Sequence, residues 1–268
     1  MDKNNIKELS IQVNLNGLSF CILNRTTYTI EYINTLPFEN KLTPFDTLNR
    51  LKTELSSNTI FSEPFNSVTI VHQNELSSLV PKTLYSEEQK ADFLKFNSKI
   101  LRTDFITQDD IFINESVNVY IPYVNINNYI FETFGEFIYK HSSTILIDTI
   151  LQKKNVGEQT EVFININAKS IEVLVIKNNN LQLFNSFEYN NKEDFIYYVL
   201  FVFEQLKLDV ETTLVNLSGQ IDENDALFNI IYTYVRHIEI LKPDVKFKLN
   251  DTVNKNKLHH HYLILNTF

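Results

Sequence analysis

The sequence predicts an α/β (α+β) chain of two similar lobes, each a mixed β-sheet that starts with a three-stranded meander and is flanked by helices. Two observations predict it. The stretch "VNLNGLSFCIL" at 13–23 is echoed by "ININAKSIEVL" at 164–174, at a constant offset of 164 − 13 = 151 residues. The echo sets Val13 over Ile164, Asn14 over Asn165, Leu15 over Ile166, Asn16 over Asn167, Ser19 over Ser170 and Leu23 over Leu174. The second observation is that the same order of strands and helices follows each copy. A period this long denotes a doubled lobe, because solenoid units repeat every 20–50 residues or so.

The elements follow in order. Residues 9–33 alternate β-branched or aromatic with polar positions and break near Asn16-Gly17 and Asn24–Thr27, which reads as short antiparallel strands joined by tight turns. "TPFDTLNRLKTELSSN" has Thr43 as N-cap, Pro44 in the first helical position and Leu48, Leu51 and Leu55 at helical spacing. "SVTIVHQ" (67–73) is a strand, and the acid-led segment 86–101 is a helix. A strand at 116–124, interrupted by Pro122, precedes a helix at 125–137. The strand "FIYKH" then leads into a helix capped by Ser142 or Ser143. The polar stretch 155–160 is the candidate boundary, giving lobes 1–157 and 158–268. The second lobe opens with three strands, turned at 178–180 by "NNN". Its helix 192–208 is apolar nearly all round, which implies burial on more than one side. The strand "TTLVNLSG", a helix from Asp222 to about Arg236, the strand "HIEIL" and an irregular tail complete it.

Composition narrows the function. The chain has 268 residues, 43% of them hydrophobic and 21% charged, a globular balance. The formal charge, 24 − 33 = −9, disfavours a general nucleic-acid binder, which needs a basic face. Only 4 glycines occur where ordinary usage would give roughly 19, so a Gly-rich phosphate cradle is disfavoured. The single Cys21 lies in an apolar run and reads as a small buried hydrophobe. The first ten residues hold no apolar signal core, and the longest apolar run, 195–203, is shorter than the roughly 18 residues that span a bilayer. The expectation is a soluble, cytoplasmic protein without a transmembrane segment.

With the doubled meander and its turns in view, the sequence resembles the actin-like ATPase superfamily, built of duplicated ribonuclease H-like lobes. It is most similar to the bacterial pilus-assembly and secretion-system branch, in which degenerate members serve as scaffolds. It also resembles an uncharacterised bacterial family of this length. The resemblance implies an Asp-x-Gly phosphate loop at the first turn of each meander. Here those positions are Asn14-Leu15-Asn16, followed by Gly17, and Asn165-Ile166-Asn167, followed by Ala168. The adenosine-side Gly-Gly pair of the family falls on Ser218 and Gly219. Asn offers a neutral carbonyl where Asp would organise Mg²⁺. A unit-charge contact near 4 Å is worth on the order of 4 kcal/mol at an effective dielectric of about 20, before screening. Asn also replaces the glycine that lets backbone N–H groups approach phosphate. It tolerates tight turns, however, and often bonds its own backbone there.

The leading expectation is therefore a pseudo-ATPase, a non-catalytic scaffold that expects no cofactor and binds a protein partner or itself. Tyr197, Tyr198 and Phe201 on the aromatic helix, and Tyr262, Leu263, Leu265 and Phe268 in the tail, are the candidate interface, with core packing as the alternative for the helix and docking on its own lobe as the alternative for the tail. Two other readings stay open. One is a divergent ATPase or kinase of the superfamily that uses ATP and Mg²⁺ with carboxylates from outside the usual loops. The other is metal binding through His259 and His261, which share a face if "HHH" is a strand. His72, His141 and His237 fall singly at strand ends, and Asp109-Asp110 and Glu87-Glu88 read as solvated acidic pairs.

Overall fold

The computed structural model describes residues 5–96, 98–153, 159–244, 246–251 and 253–268. The expected lobe boundary at 157/158 lies outside the described residues. The first sheet begins as a meander of β1 (Lys7–Asn14), β2 (Gly17–Asn24) and β3 (Thr29–Pro37). After α1 (Pro44–Ser57), β4 (Ser67–His72) returns parallel to β1. A small antiparallel sheet of β5 (Ser77–Pro81), β6 (Thr107–Ile111) and β7 (Ser116–Tyr120) is then inserted, with the short α2 (Lys90–Lys95) between β5 and β6. The first sheet resumes after α3 (Val124–Phe134) with β8 (Ile138–His141), and α4 (Ser142–Gln152) follows.

The second sheet repeats the opening: β9 (Thr160–Ile166), β10 (Ser170–Lys177), β11 (Asn180–Glu188), α5 (Lys192–Gln205), β12 (Leu214–Gly219), α6 (Ala226–Tyr234) and β13 (His237–Ile240). β14 (Lys248–Leu249) and the terminal α7 (Tyr262–Leu265) close the chain. Strand order is β14-β3-β2-β1-β4-β8 in the first sheet and β11-β10-β9-β12-β13 in the second. Leaving out β14, the two orders match strand for strand.

The burial pattern explains the layering. β2 is buried at every position from Leu18 to Asn24, the signature of a strand covered on both faces. On one face Phe20 and Ile22 pack with Leu51 and Leu55 of α1 and Ile126 and Ile130 of α3. On the other, Cys21 and Leu23 pack with Ile264 and Leu265 of α7. In the second sheet, Val173 and Val175 pack with Phe195, Val199 and Val202 of α5 and Ile231 of α6. Its opposite face, with Phe163 and Leu174, shares one core with Ile147 and Ile150 of α4 and with Tyr262 and Leu263. The α4 helix and the tail thus fill the space between the sheets.

Four sequence expectations are revised. The segment 86–101 shrinks to α2 after a 3₁₀ turn at Glu87–Gln89, because Leu94 is its only buried residue and gives a longer helix no face to hold. α5 is buried on one side only: the sheet covers Phe195 and Val199 while Tyr197 stays 61% exposed. Of the two readings of the tail, docking within the chain holds for Tyr262, Leu263 and Leu265, which are buried, so three of the seven proposed interface residues are covered by the protein itself. The cap of α4 is neither serine but His141, whose Nδ1 accepts from the Ser143 N–H. The "NNN" turn holds, with Asn178 and Asn179 both at positive φ.

Candidate functional site

The two meander turns differ in length. In the first, Asn14 pairs with Gly17, so Leu15 and Asn16 alone make the turn. A Cβ on Gly17 would stand 2.9 Å from the Leu36 carbonyl oxygen, which keeps this position small. The Asn14 side chain accepts from the Asn16 N–H at 2.7 Å and donates to the Gln73 carbonyl at 3.2 Å. In the second hairpin, Asn165 pairs with Glu172, and the turn Asn167–Ser170 closes with Asn167 N–H donating to Ser170 O. Val13 faces Leu18 where Ile164 faces Val173, so the offset is 151 on the first strand but 173 − 18 = 155 on the second. The overlay of Ser19 on Ser170 and Leu23 on Leu174 is therefore displaced by four residues. Ala168 sits in the longer turn, and the structural counterpart of Gly17 is Glu172.

Glu172 was not singled out by sequence, and it organises the space between the hairpins. It is buried, and it joins three elements. Ser142 at the start of α4 donates to its Oε1 at 2.6 Å. Gln73, just after β4, donates to Oε2 at 2.6 Å, and Asn165 donates to the same oxygen at 2.9 Å. Gln73 is held in turn by Gln12 at 2.8 Å. Burial pushes the Glu172 carboxyl above the usual carboxylate range, and these donors oppose that rise only in part. The signal in the sequence was a lone Glu inside the apolar run "SIEVLVIK", where a half-buried strand position has to find partners.

The network leaves little room. The cleft lined by Asn14, Asn16, Gln73, Tyr123 and Glu172 has a free volume of about 20 Å³. That suits roughly one water molecule, whereas small-molecule sites run to about 300–1,000 Å³. Also lining it, Lys41 bridges to Glu188 at 2.6 Å, tying the end of the first meander to the end of the second.

The adenosine-side positions are also engaged. Ser218 donates to the Asn165 Oδ1 at 3.1 Å. Gly219 has φ +85°, and a Cβ there would lie 2.1 Å from the Ile166 carbonyl oxygen. Close packing of β12 on β9 is sufficient reason for this glycine. The expected histidine pair does not form. "HHH" belongs to a 3₁₀ turn, Lys255–His261, so His259 and His261 do not alternate as on a strand. His261 Nδ1 lies 3.3 Å from Thr35 Oγ1, while His259 Nε2 lies 2.7 Å from the Ile221 carbonyl.

His72 and His141, taken singly from sequence, pair across β4 and β8, and burial lowers them to about 4 and about 3. Asp109 is not the solvated residue expected: it accepts from Thr144 Oγ1 at 2.8 Å, His141 N–H at 2.9 Å and Tyr120 O–H at 3.1 Å. Its neighbour Asp110 is exposed and pairs with Lys82.

A second opening lies beside the inserted sheet. Leu15, Leu76, Phe105, Ile121, Pro122 and Val124 line a groove of about 430 Å³, whose charged residues are Glu75 and Asp104. Phe105 is 54% exposed. Among the described residues no helix is long and apolar enough to cross a membrane.

The family model "Protein of unknown function (DUF3822)" matches residues 1–238. The chain belongs to this family. This DUF3822 protein has the actin-like ATPase fold. It is similar to a solved Bacteroides thetaiotaomicron VPI-5482 protein described as having an actin-like ATPase fold and unknown function, at 22% identity and TM-score 0.79, over 90% of this chain and 93% of that one. It is also similar to a chain of a PilM-PilN type IV pilus biogenesis complex, at 10% identity and TM-score 0.67, over 97% and 96% of the two chains. No curated protein matches the sequence.

Proposed function

We propose that this DUF3822 protein is a non-catalytic actin-like scaffold with degenerate phosphate loops, built of duplicated lobes, that holds a protein partner. The carrying observation is the closed cleft. Asn165 and Ser218 bond each other and Asn165 bonds Glu172, while Asn14 accepts from the Asn16 N–H and donates to the Gln73 carbonyl. No volume for a nucleoside triphosphate remains between them. The loops lack the aspartates that would organise Mg²⁺ and the glycines that admit phosphate.

The groove beside the inserted sheet is the docking place this reading favours. It is apolar, open, and acidic without a lysine or arginine among its lining residues, so it suits a protein segment with apolar anchors and positive charge. The similarity to a chain of a PilM-PilN complex adds support for partner binding within this fold. Panning a peptide library is expected to enrich basic, apolar sequences on the wild type and not on Phe105→Glu. Equal enrichment on both would remove the groove from the proposal.

One observation favours a second reading, a divergent ATPase or kinase: Glu172 places a carboxylate between the two loops. Calorimetric titration with ATP, with and without Mg²⁺, separates the two. The scaffold reading expects no heat from folded protein at millimolar ATP. Saturable, Mg²⁺-dependent binding at micromolar ATP would instead favour the enzyme.

A further inference from the structure

The 3₁₀ turn that separates His259 from His261 brings a different set together. His260 Nε2 stands 3.1 Å from Asp222 Oδ1, and His259 Nε2 stands 3.5 Å from the same oxygen. The ligating atoms of all three residues lie within 4.8 Å of one another. The Ile221 carbonyl oxygen, 2.7 Å from His259 Nε2, adds a fourth donor. We infer that Asp222, His259 and His260 form a binding site for one divalent transition metal ion of the zinc class.

Distances and chemistry carry the inference. Four ligands at zinc bond lengths of about 2.0–2.1 Å stand roughly 3.3 Å apart in a tetrahedron. The three separations here, 2.7, 3.1 and 3.5 Å, bracket that value. Two imidazoles with one carboxylate form a nitrogen–oxygen set suited to zinc and its neighbours, and poorly suited to magnesium, which prefers oxygen. Lys257 donates to Asp222 Oδ2 at 2.6 Å, which turns Oδ1 toward the imidazoles as an orienting partner does at many metal centres. His259 Nε2 donates its proton to the Ile221 carbonyl oxygen, so taking up an ion replaces that hydrogen bond: the ring proton moves to Nδ1, and the Nε2 lone pair, Ile221 O and Asp222 Oδ1 share the ion.

The location gives such an ion a structural role. Asp222 follows β12 of the second sheet, and His259 and His260 immediately precede α7, whose Ile264 and Leu265 pack on the first sheet. A metal here would pin the tail that lies between the two sheets.

The test is calorimetry and thermal melting of the full chain, free of any histidine tag, titrated with ZnCl₂ and with MgCl₂ as control. One Zn²⁺ per chain, a raised melting temperature and no Mg²⁺ response are expected. His260→Ala removes a partly exposed ligand and is expected to weaken binding by more than the roughly 10–100-fold that loss of an orienting partner costs. His261→Ala is expected to leave the affinity unchanged. Asp222→Asn provides a second ligand variant. Absence of saturable one-to-one binding would overturn the site, as would several weak ions per chain or an affinity that His260→Ala does not change.

Discussion

In the first hairpin Asn14 accepts from the Asn16 N–H of its own turn and donates to the Gln73 carbonyl just beyond β4. In the second, Asn165 is buried and directs both ends of its amide away from its own turn, donating to Glu172 and accepting from Ser218. The strand position facing each asparagine accounts for the difference. Gly17 offers no side chain to Asn14, whereas Glu172 presents a carboxylate to Asn165. Identical Asn-x-Asn letters thus brace a turn and the end of β4 in one hairpin and hold a buried carboxylate in the other. What an asparagine does is settled by the group across the ladder rather than by the triplet itself.

Substitutions can break this asymmetry in a graded way. Gly219→Ala should be the most damaging, on the order of 4 kcal/mol in urea unfolding, because the new Cβ meets the Ile166 backbone behind Asn165. Its counterpart beside the first sheet by strand register is Asn74, a position that already carries a side chain. Glu172→Ala leaves Ser142, Gln73 and Asn165 without their acceptor and should cost about 2–4 kcal/mol. Asn165→Ala should cost about 1–3 kcal/mol, and Asn14→Ala about 1 kcal/mol or less, since it loosens a turn near solvent. If Asn14→Ala proved as costly as Asn165→Ala, the asymmetry would be wrong. Lys41→Ala should be the mildest, below about 1 kcal/mol, because its bond to Glu188 joins two exposed side chains.

Much of the fold was legible because its main strands are strongly apolar. "GLSFCILN" and "SIEVLVIK" read as meander strands and are meander strands. The inserted sheet was harder to read. β5 is five residues ending in Pro81, and β6 is "TQDDI", two acids in five residues, so neither shows an apolar alternation. Asp109 looked solvated for the same reason: its partners Tyr120, His141 and Thr144 lie 11 to 35 residues away. The site was half legible. The two turns were located from their letters, but the four-residue lengthening of the second, and with it the role of Glu172, emerges only from strand register. The tail stayed open between two readings because buried and interaction-prone apolar segments have the same composition.

The account rests on Glu172 being buried in a closed cleft, and its carboxyl titration tests that most directly. ¹³C NMR of glutamate side-chain carboxyls, with Glu172→Gln to assign the signal, would follow it against pH. Burial predicts a midpoint above the usual carboxylate range. A raised folded-state value means the folded protein holds this proton more tightly than the unfolded chain. The contribution is therefore complete below the unfolded pKa and is lost as pH rises through the folded one. Wild type should accordingly lose stability relative to Glu172→Gln as pH climbs from about 4.5. An ordinary or depressed midpoint, with no such pH dependence, would mean that the carboxylate is open to solvent and the cleft is not closed.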